Sequence, residues 1–174
     1  APFAEVKDSL SDVRRVNRYL SGYRVLLSHS KQFLRNHSYK RSFNVIDLAT
    51  GSADQPIELV LLARKMKVPI KIIAIDINPK MLVYARSECI NFPEISFIQC
   101  DILNLPFNEN SFDLAINSLS LHHFSFKNAL LIIQSLDKLG RLGFIVNDLH
   151  RSWVAFFSIF LLTRLLTKNR LTRY

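Results

Sequence analysis

Apolar residues recur along the middle of this chain in two interleaved patterns. Short runs rich in β-branched residues predict five strands: F-N-V-I-D-L at 43–48, I-K-I-I-A-I-D at 70–76, I-S-F-I at 95–98, F-D-L-A-I at 112–116 and G-F-I-V at 143–146. Between the first two, Ile57, Val60, Leu61 and Ala63 recur at helical spacing over 54–66. Pro56 falls in the first turn of that helix, where its missing N–H costs nothing. Pro79 opens a second helix with Met81, Leu82 and Ala85 on one face, and residues 126–138 read as a third. Upstream, Ser11 or Asp12 is suited to cap a helix carrying Val13, Val16, Leu20, Tyr23 and Leu27.

Strands separated by helices cannot form hairpins; they pair in parallel through right-handed crossovers. The expected fold is therefore α/β, an open and mostly parallel sheet with helices on both faces. Such sheets bind ligands beyond the carboxyl ends of their strands, where the strand order reverses. The segments that follow the strands are 47–54, 76–79, 100–103, 117–123 and 147–151, and they are expected to converge. Asp113, at the start of a strand, lies at the wrong end of the sheet to join them.

The chain has 174 residues, 49% hydrophobic and 21% charged, which excludes intrinsic disorder and fits one domain with a real core. Its net charge of +9 is unevenly placed. Residues 1–45 hold nine basic and three acidic residues, residues 46–150 nine and eleven, and residues 151–174 five and none. Basic ends make nucleic acid or an anionic membrane surface candidate partners, against the plainer reading of solvated faces. The apolar segment Trp153–Leu162 is bounded by Arg151 and Arg164 and falls short of the roughly 20 residues of a membrane span. It reads as a core helix, with a lid or membrane-surface contact as the alternative. Cys89 and Cys100 are too few for a zinc site or a disulfide framework, so no metal is expected and both read as reduced thiols in a cytoplasmic setting. The N-terminus becomes charged at once, unlike a secretory signal.

The first loop reads V-I-D-L-A-T-G-S-A-D: a strand ending at Asp47, a turn of small residues, then a helix near Asp54. Small residues let a ligand approach the backbone, and a helix N-terminus offers N–H groups to an anion. Asp76 closes the second strand 25 residues after Gly51, where doubly wound nucleotide folds hold a ribose. Its plainer reading is a carboxylate favoured at a helix N-terminus.

The sequence D-L-A-T-G-S-A-D, then A-I-D-I-N-P-K-M-L, then Q-C-D-I-L-N-L-P-F-N-E-N-S-F-D-L-A-I-N-S-L-S-L-H-H-F, resembles a class I S-adenosylmethionine (SAM) dependent methyltransferase over roughly residues 43–150. The resemblance implies a Rossmann-like sheet with SAM lying across the strand ends. It implies that Asp47, Ala49 and Gly51 flank the methionine part, and that Asp76 holds the ribose with Ile77 packed on adenine. Asp101 would meet the adenine amino group beside Ile102, and Asn117 and Ser118 would close over the methionine end. The family's first loop usually carries three glycines at alternate positions. Here Ala49 and Ala53 replace two of them, which requires that both hold negative φ.

R-R-V-N-R-Y-L-S-G-Y-R at 14–24 and I-V-N-D-L-H-R-S-W at 145–153 look like a bacterial subgroup of small-molecule methyltransferases. That resemblance implies a quinone-like or polyketide-derived aromatic acceptor, with Asn147, Asp148, His150 and Arg151 facing it. His122, His123 and His150 are the candidate general bases, with His122 and His150 carried forward; adjacent His122 and His123 cannot both enter one site if extended.

The expected organisation is a helical extension or lid over 1–42 and a SAM-binding core over 43–174, truncated before the edge strands that the family places at its C-terminus. The expected activity is methyl transfer to a small aromatic or lipophilic acceptor, in the cytoplasm or at a membrane surface. The alternatives are a non-catalytic SAM-fold binding module and an RNA methyltransferase. The N-x-x-S-x-x-H pattern of Asn117–His123 differs from the N-P-P-Y type used on bases and lowers the last.

Overall fold

In the computed structural model, which describes residues 22–37 and 41–148, five strands form one sheet in the order β3-β2-β1-β4-β5. They are β1 (Phe43–Leu48), β2 (Ile70–Asp76), β3 (Ile95–Gln99), β4 (Leu114–Ser118) and β5 (Phe144–Asn147), and every pairing is parallel. Among the described residues the helices are α1 (Gly22–Arg35), α2 (Asp54–Met66), α3 (Pro79–Glu88) and α4 (Phe126–Leu139), with a 3₁₀ turn at Leu121–His123. This is the Rossmann-like arrangement expected.

Alternation along the strands explains why both faces need cover. Phe43, Val45, Ile70, Ile72, Ala74, Leu114 and Ile116 belong to one buried cluster with Leu26 and Leu34 of α1, Leu59, Val60 and Ala63 of α2, and Ala85 of α3. Their neighbours Ile46, Leu48, Ile75 and Ala115 point the other way, into a cluster with Ile132, Leu136 and Leu139 of α4. Ile132 and Leu136 are fully buried, and each such side chain is worth about 1.5–3 kcal/mol of transfer free energy. Burying faces differ in detail from the helical spacing. In α2, Leu59 replaces Leu61, which is exposed; in α3, Tyr84 joins Leu82 and Ala85.

Two features depart from the sequence reading. The link from β3 to β4 carries no helix; Leu103, Leu105 and Phe107 pack it directly onto the α4 side. In addition, β4 begins at Leu114 rather than at residue 112. Phe112 makes only an isolated bridge to Gly140, because its N–H goes to Leu139 O (3.2 Å) and its carbonyl to the Arg141 N–H (2.8 Å). The start of the upstream helix and the expectation about edge strands fall on residues 1–21 and 149–174, outside the described residues.

The strand order reverses between β1 and β4, so the carboxyl ends of these two strands mark the crevice. At the opposite rim, Asp113 pins the sheet. Its carboxylate accepts from Arg41 Nη1 (2.9 Å) and Nη2 (2.7 Å), from the Asn44 N–H (2.9 Å) and from Arg141. Burial pushes this carboxyl up, but the donors outweigh it and hold it at about 2. As expected from its place at the strand start, Asp113 is bound up in structure. Its stabilisation is complete above the unfolded-state value of about 4 and is lost as pH falls through about 2. Asp113→Asn should cost about 2–3 kcal/mol at pH 7 and lack that acid-limb loss, measured by urea denaturation from pH 7 to 2. Wild-type stability at pH 7 in the variant would contradict this assignment.

Candidate functional site

The turn that leaves β1 is left-handed at three alternate positions: Ala49 at φ 59°, Gly51 at 56° and Ala53 at 58°. The requirement that the two alanines hold negative φ is therefore overturned. The loop keeps the backbone path that glycine normally serves, and each alanine accepts an unfavourable conformation of about 1–2 kcal/mol. At Gly51 a Cβ would meet nothing within 4 Å, so conformation rather than space calls for glycine there. Hydrogen bonds hold the path. Thr50 N–H donates to Ile75 O (2.8 Å), Gly51 N–H to Asp76 Oδ2 (2.9 Å) and Ala53 N–H to Thr50 O (3.0 Å). Asp54, in the first turn of α2, accepts from Tyr23 (2.7 Å) and Ser52 (2.9 Å).

Asp76 is the hub of this rim. Its second oxygen accepts the Asn78 N–H (2.9 Å), and its carbonyl accepts from the Cys100 N–H (3.1 Å). The cap of α3 is Asn78, whose side chain accepts from Lys80 N–H (3.0 Å), so Asp76 is not a helix-capping acid. Its carboxylate retains lone pairs beyond the two it uses. Ile77 follows it and is 63% exposed. Asp101 accepts from the Leu103 N–H (2.9 Å) and Asn104 Nδ2 (3.2 Å), and Ile102 is buried in the α4-side cluster. Across the switch point, Asn117 Nδ2 donates to Leu48 O (2.8 Å) and to Ser120 Oγ (2.7 Å).

Seven buried side-chain polar atoms among the described residues lack a hydrogen-bond partner. All but Ser30 Oγ lie at the ends of β1 and β4 or in the first turn of α2: Asp47 Oδ2, Thr50 Oγ1, both amide atoms of Gln55, Asn117 Oδ1 and Ser118 Oγ. Buried polar groups are normally paired, and a cluster of exceptions calls for a ligand or water. Burial pushes the Asp47 carboxyl up to about 7; the Thr50 hydroxyl opposes this without reaching hydrogen-bonding geometry, while Asp54 and Asp76 add to it. The site thus holds an underserved carboxyl, amide and hydroxyl oxygens and a left-handed loop, a set suited to a polar, cationic small molecule.

Direct hydrogen bonds join Gly51 to Asp76 and Asn117 to Leu48; Asp47 and Ala49 flank Leu48 in the chain, Ser118 follows Asn117, and Asp101 follows Cys100, whose N–H bonds to Asp76 O. His150 and Arg151 lie outside the described residues. His122 and His123 occupy a 3₁₀ turn rather than extended chain, and their rings lie 4.0 Å apart, tilted by 47°. Asp148, expected at the substrate, contacts His122, with Oδ1 2.7 Å from Nδ1. The site also takes in Thr50, Gln55 and Ser120, of which only Ser120 carries a signal in the sequence, its place in N-x-x-S-x-x-H.

Residues 39–158 match the family described as a methyltransferase domain. The chain belongs to that methyltransferase family. Among curated relatives, a ubiquinone/menaquinone biosynthesis C-methyltransferase of Xylella fastidiosa is 28% identical over 131 residues, covering 74% of this chain and 51% of that protein. Its counterpart in Rickettsia prowazekii is 38% identical over 73 residues, covering 40% and 29%. The chain thus spans about half or less of the length of these relatives. A solved protein from Pyrococcus horikoshii shares the fold at TM-score 0.62 and 21% identity, covering 84% of this chain and 61% of that one.

The strained loop gives a stability test. Ala49→Gly relieves an αL alanine at the cost of extra freedom in the unfolded chain. Stability should rise by about 0.5–1 kcal/mol, read as a higher melting temperature. A fall would show that the Ala49 methyl packing outweighs the backbone conformation.

Proposed function

We propose that this methyltransferase domain transfers a methyl group from SAM to a small, lipophilic aromatic acceptor of the quinol class. The observation that carries the reading is the cluster of unpartnered buried polar atoms beside the left-handed loop, at the switch point of a parallel sheet. The curated relatives named as quinone C-methyltransferases support the acceptor class. SAM, when bound, supplies a methyl group already activated on a sulfonium.

In this reading the chain's residues bind and orient. Asp76, already fixed by Gly51 and Asn78, accepts from the ribose hydroxyls. Exposed Ile77 covers one face of the adenine, Ile102 supports the other, and Asp101 accepts from its amino group. Ala49 and Gly51 let the backbone approach the methionine end; Asn117 Oδ1 accepts from it, and Ser118 Oγ accepts from it or donates to it. The positive charge of the amino group offsets the burial that pushes the Asp47 carboxyl up to about 7, and so favours its ionised form. With both reactants held in line, positioning supplies much of the rate. Arg151 and His150 remain candidates for the acceptor side. The five basic residues of 151–174, with no acid among them, suit an anionic membrane surface where a lipophilic acceptor is met. Among the described residues no helix is long and apolar enough to cross a membrane.

Asp76→Ala should weaken SAM binding by about 1.5–3 kcal/mol, the worth of hydrogen bonds to a charged group, in calorimetric titrations of folded wild-type and variant chains. Equal affinities would contradict the ribose assignment, and a wild type that binds no SAM would contradict the cofactor reading.

A further inference from the structure

The end of β5 is locked to the turn after β4. Ser118 pairs with Asn147 in the parallel ladder, and Leu119, left-handed at φ 55°, donates its N–H to Asn147 O (2.8 Å). Asn117 Nδ2 reaches Ser120 Oγ (2.7 Å), and Ser120 O accepts the His123 N–H (3.0 Å). This folding of the turn sets His122 against Asp148, the residue that follows β5. Asp148 Oδ2 accepts the His122 N–H at 3.0 Å, and Oδ1 lies 2.7 Å from His122 Nδ1. The two side chains are 25% and 15% exposed, so the pair sits at the rim without being immersed in solvent.

We propose that His122 takes the proton that the acceptor loses, and that Asp148 is a positioning residue acting through His122. The proposal rests on the methyl-transfer reading above and assigns the acid–base part of that site. A carboxylate only accepts hydrogen bonds, so Nδ1 carries the hydrogen and the ring's accepting lone pair is on Nε2. Whatever Nε2 meets, it meets as an acceptor. Capping the 3₁₀ turn requires only the backbone N–H bond; the second contact, to the ring, fixes its tautomer and orientation. The His123 ring leans on His122 and limits its rotation further.

The acceptor is thereby one that must shed a proton, as a quinol does at its hydroxyl or ring carbon. Its nucleophilic atom forms the new bond to the methyl carbon, and the carbon–sulfur bond breaks with its electron pair left on sulfur. The acceptor's proton passes to Nε2, giving an imidazolium paired with Asp148, and then leaves to water.

The tautomer is tested by long-range ¹H–¹⁵N spectra of histidine-labelled chain with S-adenosylhomocysteine, with the His122 signal assigned through His122→Gln. The wild type should show Nδ1–H, and Asp148→Asn should shift His122 toward Nε2–H. A wild-type Nε2–H ring overturns the proposal without any variant having to fold. In turnover with SAM and a short-chain 2-prenyl-1,4-naphthohydroquinone, His122→Gln should lower kcat by about 10²–10⁴-fold. SAM affinity should stay within about twofold. Asp148→Asn should lower kcat by about 10–100-fold with KM little changed, and Asp148→Glu should recover part of it. An unchanged kcat in His122→Gln, or a raised KM with unchanged kcat in Asp148→Asn, overturns the proposal. Failure of the methyl-transfer reading is visible separately, as a wild type that binds no SAM or leaves the quinol unmethylated; the tautomer then decides the pair by itself.

Discussion

The carboxylate of Asp76 joins two loops that the chain separates by 25 residues, taking the Gly51 N–H on one oxygen and the Asn78 N–H on the other. The rest of the rim depends on it. The turn after β1 is left-handed at Ala49, Gly51 and Ala53, a path that two alanines resist. It persists because its N–H groups are spoken for by Ile75 O, Asp76 and Thr50 O. The Cys100 N–H bond to Asp76 O then brings the β3 end to the same hub. Local backbone strain is thus held by the parallel pairing of β1 with β2, and the strained turn opens the approach to the crevice.

Two buried aspartates mark the two rims and show how the same side chain serves opposite ends. Asp113 has two guanidinium partners and a backbone N–H, and its carboxyl stays ionised down to about 2. Asp47 is equally buried but has an oxygen with no partner, and its carboxyl rises to about 7. The first is complete as it stands and holds the fold. The second is incomplete, and so are Asn117 and Ser118 facing the same switch point. A cationic ligand would supply what Asp47 lacks, which links the charge balance of the core to the proposed chemistry.

Much of the fold was legible because a parallel sheet covered on both faces writes itself as near-continuous apolar runs, as in I-K-I-I-A-I. The acids at the ends of β1 and β2 and just after β3 were legible because strand ends are where polarity returns. The start of β4 was not: Phe112 and Asp113 look like strand residues, but Phe112 is bonded to the Leu139–Arg141 bend and Asp113 faces two arginines. The left-handed Ala49 and Ala53 were not legible, because an alanine favours negative φ and only the surrounding hydrogen bonds override that preference. The pairing of His122 with Asp148 spans 26 residues and follows from the β4–β5 register, which no local pattern encodes.

The most direct test of the single-rim account is a map of backbone amide shifts as S-adenosylhomocysteine is titrated into the chain. The account predicts that the largest shifts gather at Gly51, Ser52, Ile77, Ile102 and Ser118, while Asn44 and Arg141 at the far rim stay still. Shifts centred on Asn44 and Arg141, or none at saturating ligand, would contradict it.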